Sequence, residues 1–119
     1  MFVRKLSMPR LPKLYLEDIL SAIEKVERYT KDSNFHSFIK DEMRYDAVLK
    51  NLEVIGEAVK NLPAEIKKKH PAIEWKKIAG LRDILSHEYF GIEQSIIWDV
   101  IQNKLEELKE EVTKMIRIL

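Results

Sequence analysis

Cysteine is absent from the 119-residue sequence. Disulfides, thiolate nucleophiles and cysteine-ligated zinc or iron–sulfur sites are thereby excluded together, and a reducing cytoplasm fits. Charge of one sign is not in excess either: 21 Lys and Arg face 20 Asp and Glu, a formal net charge of +1. No global field draws such a chain onto nucleic acid or an anionic membrane, so any contact with nucleic acid must be made by a local cluster. Long apolar runs are missing as well. Charged residues interrupt each apolar stretch well short of the ~18 residues that a membrane span needs, and no membrane is expected as a partner. Residues 1–8 carry basic side chains but not the apolar run of a signal peptide. Glycine and proline are scarce, at three and four residues.

What is present is a globular balance, 45% hydrophobic and 34% charged, well away from the composition of disordered chains. The length suits one domain with a single core. Residues 1–12, with Pro9 and Pro12, read as a loose lead-in within which Met8 is a second candidate start, and 13–119 as the domain. Between the few Gly and Pro residues, apolar side chains recur at helical spacing. A first helix is expected over 13–30, with Leu16, Ile19, Leu20, Ile23 and Val26 on one stripe. A second, longer helix follows Phe35–Ile39, where Val48, Leu52, Ile55, Val59 and Leu62 step by fours and threes. Pro63 suits the first turn of a short helix over 63–69, which Pro71 closes. A fourth helix runs from about 74 to a turn at Tyr89-Phe90-Gly91, and a last one spans 93–117 on the stripe Ile97, Ile101, Leu105, Leu108, Val112, Met115 and Ile116. The expected fold is all-α, an antiparallel up-and-down bundle of four to five helices. Gly56 and Gly80 fall inside helices, where glycine costs about 1 kcal/mol relative to alanine. Close approach of a neighbouring helix is the expected compensation for both, preferred over a direct ligand contact.

Candidate chemistry gathers in Leu81-Arg-Asp-Ile-Leu-Ser-His-Glu-Tyr-Phe90, where polar and ionisable groups crowd the end of an otherwise apolar helix. Histidine both takes and gives protons near neutrality, and arginine offers a permanent charge on a fork matched to phosphate oxygens. Together they suffice for metal-free RNA cleavage: His87 moves protons, Arg82 holds the phosphate, and Asp83, one turn before His87, fixes the imidazole tautomer. Ser86 or Tyr89 adds a hydrogen bond. On an ideal helix, however, Arg82 and His87 lie roughly 140° apart. Either the helix loosens before His87, or the site combines residues of two chains across a dimer axis; the dimer also supplies a second histidine and a cleft for single-stranded RNA. Taken alone, the same residues describe a helix end at which Arg82 pairs with Asp83 and His87 caps.

Read as Arg-x4-His-x-Tyr, residues 82–89 match the signature of HEPN ribonucleases of the HepT type. Leu14-Tyr-Leu-Glu-Asp-Ile-Leu20, Asn51-Leu-Glu-Val-Ile-Gly-Glu-Ala58, Pro71-x-Ile-x-Trp75, Ile78-Ala-Gly80 and His87-x-Tyr-Phe-Gly91 resemble the same subgroup in order and spacing, covering about residues 9–117. The resemblance implies a dimeric HEPN bundle that cleaves RNA without metal or other cofactor, encoded as a toxin beside a minimal nucleotidyltransferase antitoxin. Arg82 and His87 match the catalytic pair, Asp83 the polar residue after the arginine, and Tyr89 the tyrosine that the antitoxin adenylylates. A nucleotide on Tyr89 would place bulk and negative charge two residues from His87 and repel an RNA phosphate.

Two other classes compete with an enzyme. A non-catalytic helical module would bind the nucleotidyltransferase and present substrate or nucleotide to it; a purely structural bundle would use the polar cluster to finish a helix. Elsewhere the plainer readings are preferred. Lys67-Lys-Lys69-His70 complements a helix C-terminus. His36 and His70 lack a second ligand at metal spacing and are assigned no metal. Trp75 and Trp98 pack in the core, and Phe38, Tyr45 and Phe90 belong to core or interface.

Overall fold

The computed structural model describes residues 10–87 and 93–119, and all of its regular elements there are helices. Helix α1 (Pro12–Thr30) starts with proline in its first turn and buries Leu16, Ile19, Ala22, Ile23 and Val26. It closes at Thr30, whose Oγ1 donates back to the Val26 carbonyl at 2.8 Å. The chain then reverses through Asp32, in the left-handed region at φ 63°, where aspartate is tolerated better than most residues.

Residues 35–40 differ from expectation by forming a helix of their own, α2 (Phe35–Lys40), begun by a reciprocal cap between Asn34 and Ser37. Asp41 separates it from α3 (Glu42–Asn61) by accepting the Arg44 amide at 3.0 Å as an N-cap. Along α3 the stripe Val48, Leu49, Leu52, Ile55, Ala58 and Val59 is buried. Each large member contributes about 1.5–3 kcal/mol by leaving water. Pro63 turns out to be the N-cap of α4 (Ala64–Lys68) rather than its first helical residue. Lys67 reaches from α4 to donate to the Val59 carbonyl at 3.1 Å, a cation placed at the C-terminal end of α3.

Helix α5 (Trp75–His87) follows a connection held by its own side chains, since Trp75 Nε1 donates to the His70 carbonyl at 2.9 Å. The expected last helix is divided into α6 (Gln94–Asn103) and α7 (Leu105–Ile118) at Lys104, whose φ of −114° departs from helical geometry. The apolar stripe crosses this break without a gap, with Ile97, Leu105, Leu108, Val112 and Met115 all buried.

Helix α1 packs against α3 and α7, and α3 also packs against α5. With α2 and α4 as short connectors and α6–α7 as one broken limb, the architecture is the expected antiparallel all-α bundle. Phe38 is fully buried, with Tyr45 and Trp98 each 5.3 Å away between ring centroids. This aromatic group joins α2 to α6. The seam between α5 and the α6–α7 limb is less filled, leaving a cavity of about 160 Å³ lined by Ile73, Ile78, Leu81, Val100 and Leu108.

Candidate active site at the α3–α5 crossing

Gly56 sets the geometry. A Cβ built there would lie 2.7 Å from the Arg82 backbone nitrogen and 3.1 Å from the Ile78 carbonyl oxygen, so only glycine lets α5 approach α3 this closely. The expected role of Gly56 holds. Gly80 is a correction: among the described residues a Cβ there would meet nothing within 4 Å, so no described helix explains it.

With the backbones this close, polar side chains of α5 meet acidic ones of α3. Arg82 Nε lies 2.7 Å from Glu57 Oε1, and Ser86 Oγ donates to Glu53 Oε2 at 2.7 Å. The two rungs step back four residues along α3 as they step forward four along α5, as antiparallel helices require. Arg82 Nη1 also donates to Asp83 Oδ1 at 3.2 Å, and Lys60 Nζ stands 3.9 Å from the same oxygen. The bond to Asp83 and the charge of Glu57 raise the Arg82 pKa above its ordinary value, so this group carries positive charge throughout the working range. Its side chain is about one-third exposed, at 34%, and faces an open cavity of about 340 Å³ of mixed lining, with Arg10, Asp18, Lys50, Glu53 and Glu57 among its charged residues.

Arg82 and Asp83 are thus paired, and Ser86 lies one turn further along α5 on Glu53. Helix α5 is continuous through His87, so Asp83 and His87 lie one turn apart along it and the helix does not loosen ahead of His87. The His87 side chain and all of Tyr89 and Phe90 lie outside the described residues. Glu53 and Glu57 were given no role from sequence. Their signal was slight: two acids at four-residue spacing beside a mid-helix glycine.

The other polar residues take structural parts. His70 Nδ1 lies 2.6 Å from Glu111 Oε2, tying the α4–α5 connection to α7. Trp75 is buried and Trp98 half-buried among rings. No described helix is long and apolar enough to cross a membrane.

Residues 19–115 match the family model described as Ribonuclease HepT-like. A Caldanaerobacter subterraneus protein named provisionally as an RNase is 44% identical over 108 residues, 91% of this chain and 96% of that one. A Thermococcus cleftensis protein named as a probable ribonuclease HepT is 41% identical over 108 residues, 91% of this chain and 98% of that one. In Methanocaldococcus jannaschii, a protein named for a gamma-glutamylcyclotransferase together with a provisional RNase is 43% identical over 107 residues, 90% of this chain. The match spans only 48% of that longer protein. No solved structure matches. A family match that runs from α1 to α7, with relatives of similar length aligned almost end to end, places this chain in the HepT-like ribonuclease family.

Proposed function

We propose that this ribonuclease is the toxin of a two-gene toxin–antitoxin system, a metal-independent endoribonuclease whose active site is the Arg-x4-His pair Arg82 and His87. The observation that supports it most is Arg82 itself: in a chain of this family, a permanent cation held by its Nε edge lines an open cavity of mixed lining. An arginine fork in that setting suits one phosphate of a single strand.

In the proposed reaction the RNA 2′-oxygen bonds to the adjacent phosphorus as the bond from phosphorus to the 5′-oxygen breaks, leaving a 2′,3′-cyclic phosphate and a free 5′-hydroxyl. One imidazole takes the 2′-hydroxyl proton, another protonates the 5′-oxygen, and Arg82 offsets the charge that builds on the phosphate. Asp83 fixes the His87 tautomer and Ser86 supports the site. A single α5 cannot turn Arg82 and His87 toward one point, because an unbroken helix separates them by roughly 140°. The site is therefore completed in a homodimer cleft, which contributes the second histidine. The exposed Ile84 and the uncovered Gly80 on α5 support a partner on that side. The antitoxin is a cognate nucleotidyltransferase that adenylylates Tyr89 in the cytoplasm, where the added phosphate repels RNA.

Purified protein incubated with total cellular RNA in chelator tests this. Wild type is expected to give discrete fragments ending in cyclic phosphate. Arg82→Ala and His87→Ala are each expected to lower the rate by about a hundredfold or more while remaining folded and dimeric. If wild-type protein shown by mass to carry no nucleotide on Tyr89 leaves RNA intact, the nuclease reading fails and a non-catalytic module for the nucleotidyltransferase takes its place.

A further inference from the structure

Arginine carries five N–H donors on a planar fork at the end of a flexible stem, and each phosphate it is to hold must first find that fork in the right place. In this chain the stem is anchored at both ends. Its backbone nitrogen sits against Gly56, and its Nε rests 2.7 Å from Glu57 Oε1, on the next residue of α3. The pair therefore sits beside a close backbone approach of α3 and α5, instead of joining two loose side chains across a surface. Glu53 and Ser86 repeat the arrangement one turn away, fixing the rotation of α5 about its axis.

We infer that Glu57 is a positioning residue for Arg82: it takes the Nε edge of the guanidinium while Asp83 accepts from one terminal nitrogen, leaving the other terminal nitrogen to meet an RNA phosphate. This rests on the proposed nuclease reading. It differs from a stabilising role in a measurable way. Glu57 is half exposed and Arg82 one-third exposed, and an ion pair in that setting adds little to stability, about 0–1 kcal/mol. Loss of Glu57 should leave the fold intact and appear in the reaction. It differs equally from competition, in which Glu57 would occupy Arg82 against RNA and its removal would tighten binding.

The experiment compares Glu57→Gln, Glu57→Asp, Arg82→Ala and the double variant Glu57→Gln/Arg82→Ala with wild type. Cleavage of a short RNA is measured alongside affinity for the same RNA with 2′-O-methyl groups, which binds but cannot react, and thermal melts check folding. Glu57→Gln is expected to lower kcat/KM about tenfold to a hundredfold, the range for a slightly misplaced catalytic group. The larger share should fall on kcat, with an unchanged melt and partial recovery in Glu57→Asp. Added to Arg82→Ala, it should cost less than about twofold more, because a positioning residue has no effect without the group it positions. Wild-type kcat/KM in Glu57→Gln, tighter RNA binding, or a full additional loss in the double variant would each overturn the inference. If no protein cleaves, the nuclease reading falls alone, and the affinity series still decides. Weaker binding shared by Glu57→Gln and Arg82→Ala supports the positioning role. Wild-type affinity in Glu57→Gln, or an RNA that binds wild type no better than Arg82→Ala, overturns it.

Discussion

A methyl group at position 56 would meet the backbone of α5 at 2.7 Å, while one at position 80 would meet no atom of the described residues within 4 Å. Backbone atoms cannot yield as a flexible side chain does, so Gly56→Ala must push α5 away from α3. Overpacking of this kind costs about 1–3 kcal/mol, and the displacement carries Arg82 with it. Urea denaturation should show the loss, and RNA cleavage should fall along with it. Gly80→Ala should do the reverse, gaining up to about 1 kcal/mol from helix propensity. One residue type in two similar helical settings thus has opposite substitution behaviour. The sequence favoured the same explanation for both, since what stands outside a helix at a given position is not written in that helix. The same limit applied to Glu53 and Glu57. Arg82, Asp83 and Ser86 are neighbours in the chain and were legible as a cluster. Their acidic partners come from a helix more than twenty residues earlier and emerge only once the antiparallel register is known.

Helices were legible where the apolar period is long, and α1, α3 and α5 lie within a few residues of where the periodicity places them. The break between α2 and α3 had a readable sign, because Asp41 followed by Glu42 is an N-cap with an acidic first turn. The break at Lys104 had none: the stripe from Ile97 to Met115 continues straight across it. Between α1 and α7 the apolar contact is joined by Lys109 Nζ and Glu27 Oε1 at 2.8 Å. The hydrogen bond and charge of Glu27 raise the Lys109 pKa. A lysine raised on folding contributes its stability in full below its unfolded pKa of about 10.5 and loses it as pH climbs through the higher folded value. Both side chains are about one-third exposed, so screening keeps the contribution below about 1 kcal/mol. Glu27→Gln should therefore lower the melting temperature slightly at pH 8, and the gap from wild type should close as pH rises beyond that of lysine titration. A gap that stays constant across that range would assign the effect to packing.

At the scale of the molecule, the helices form a body 44 × 34 × 22 Å with a radius of gyration of 15.1 Å, broader than the roughly 13–14 Å of a compact chain of this length. A thickness of 22 Å is about two helix diameters, so every limb of the bundle lies near a surface and the connections between limbs are open to solvent to different degrees. The connection from α4 to α5 is tied down by the His70–Glu111 contact, by Trp75 on the His70 carbonyl, and by burial of Ile73. The reversal after α1 is less secured: Lys31 and Asp32 are exposed, held by one backbone bond from Ser33 to Thr30 and one side-chain bond from Arg44 to Ser33. A protease needs several residues drawn out into an extended strand before it can cut, so it samples local opening and not the number of cleavable side chains. Trypsin under native conditions should accordingly nick after the single Lys31 before it cuts within Lys67-Lys68-Lys69, although the latter offers three lysines in a row.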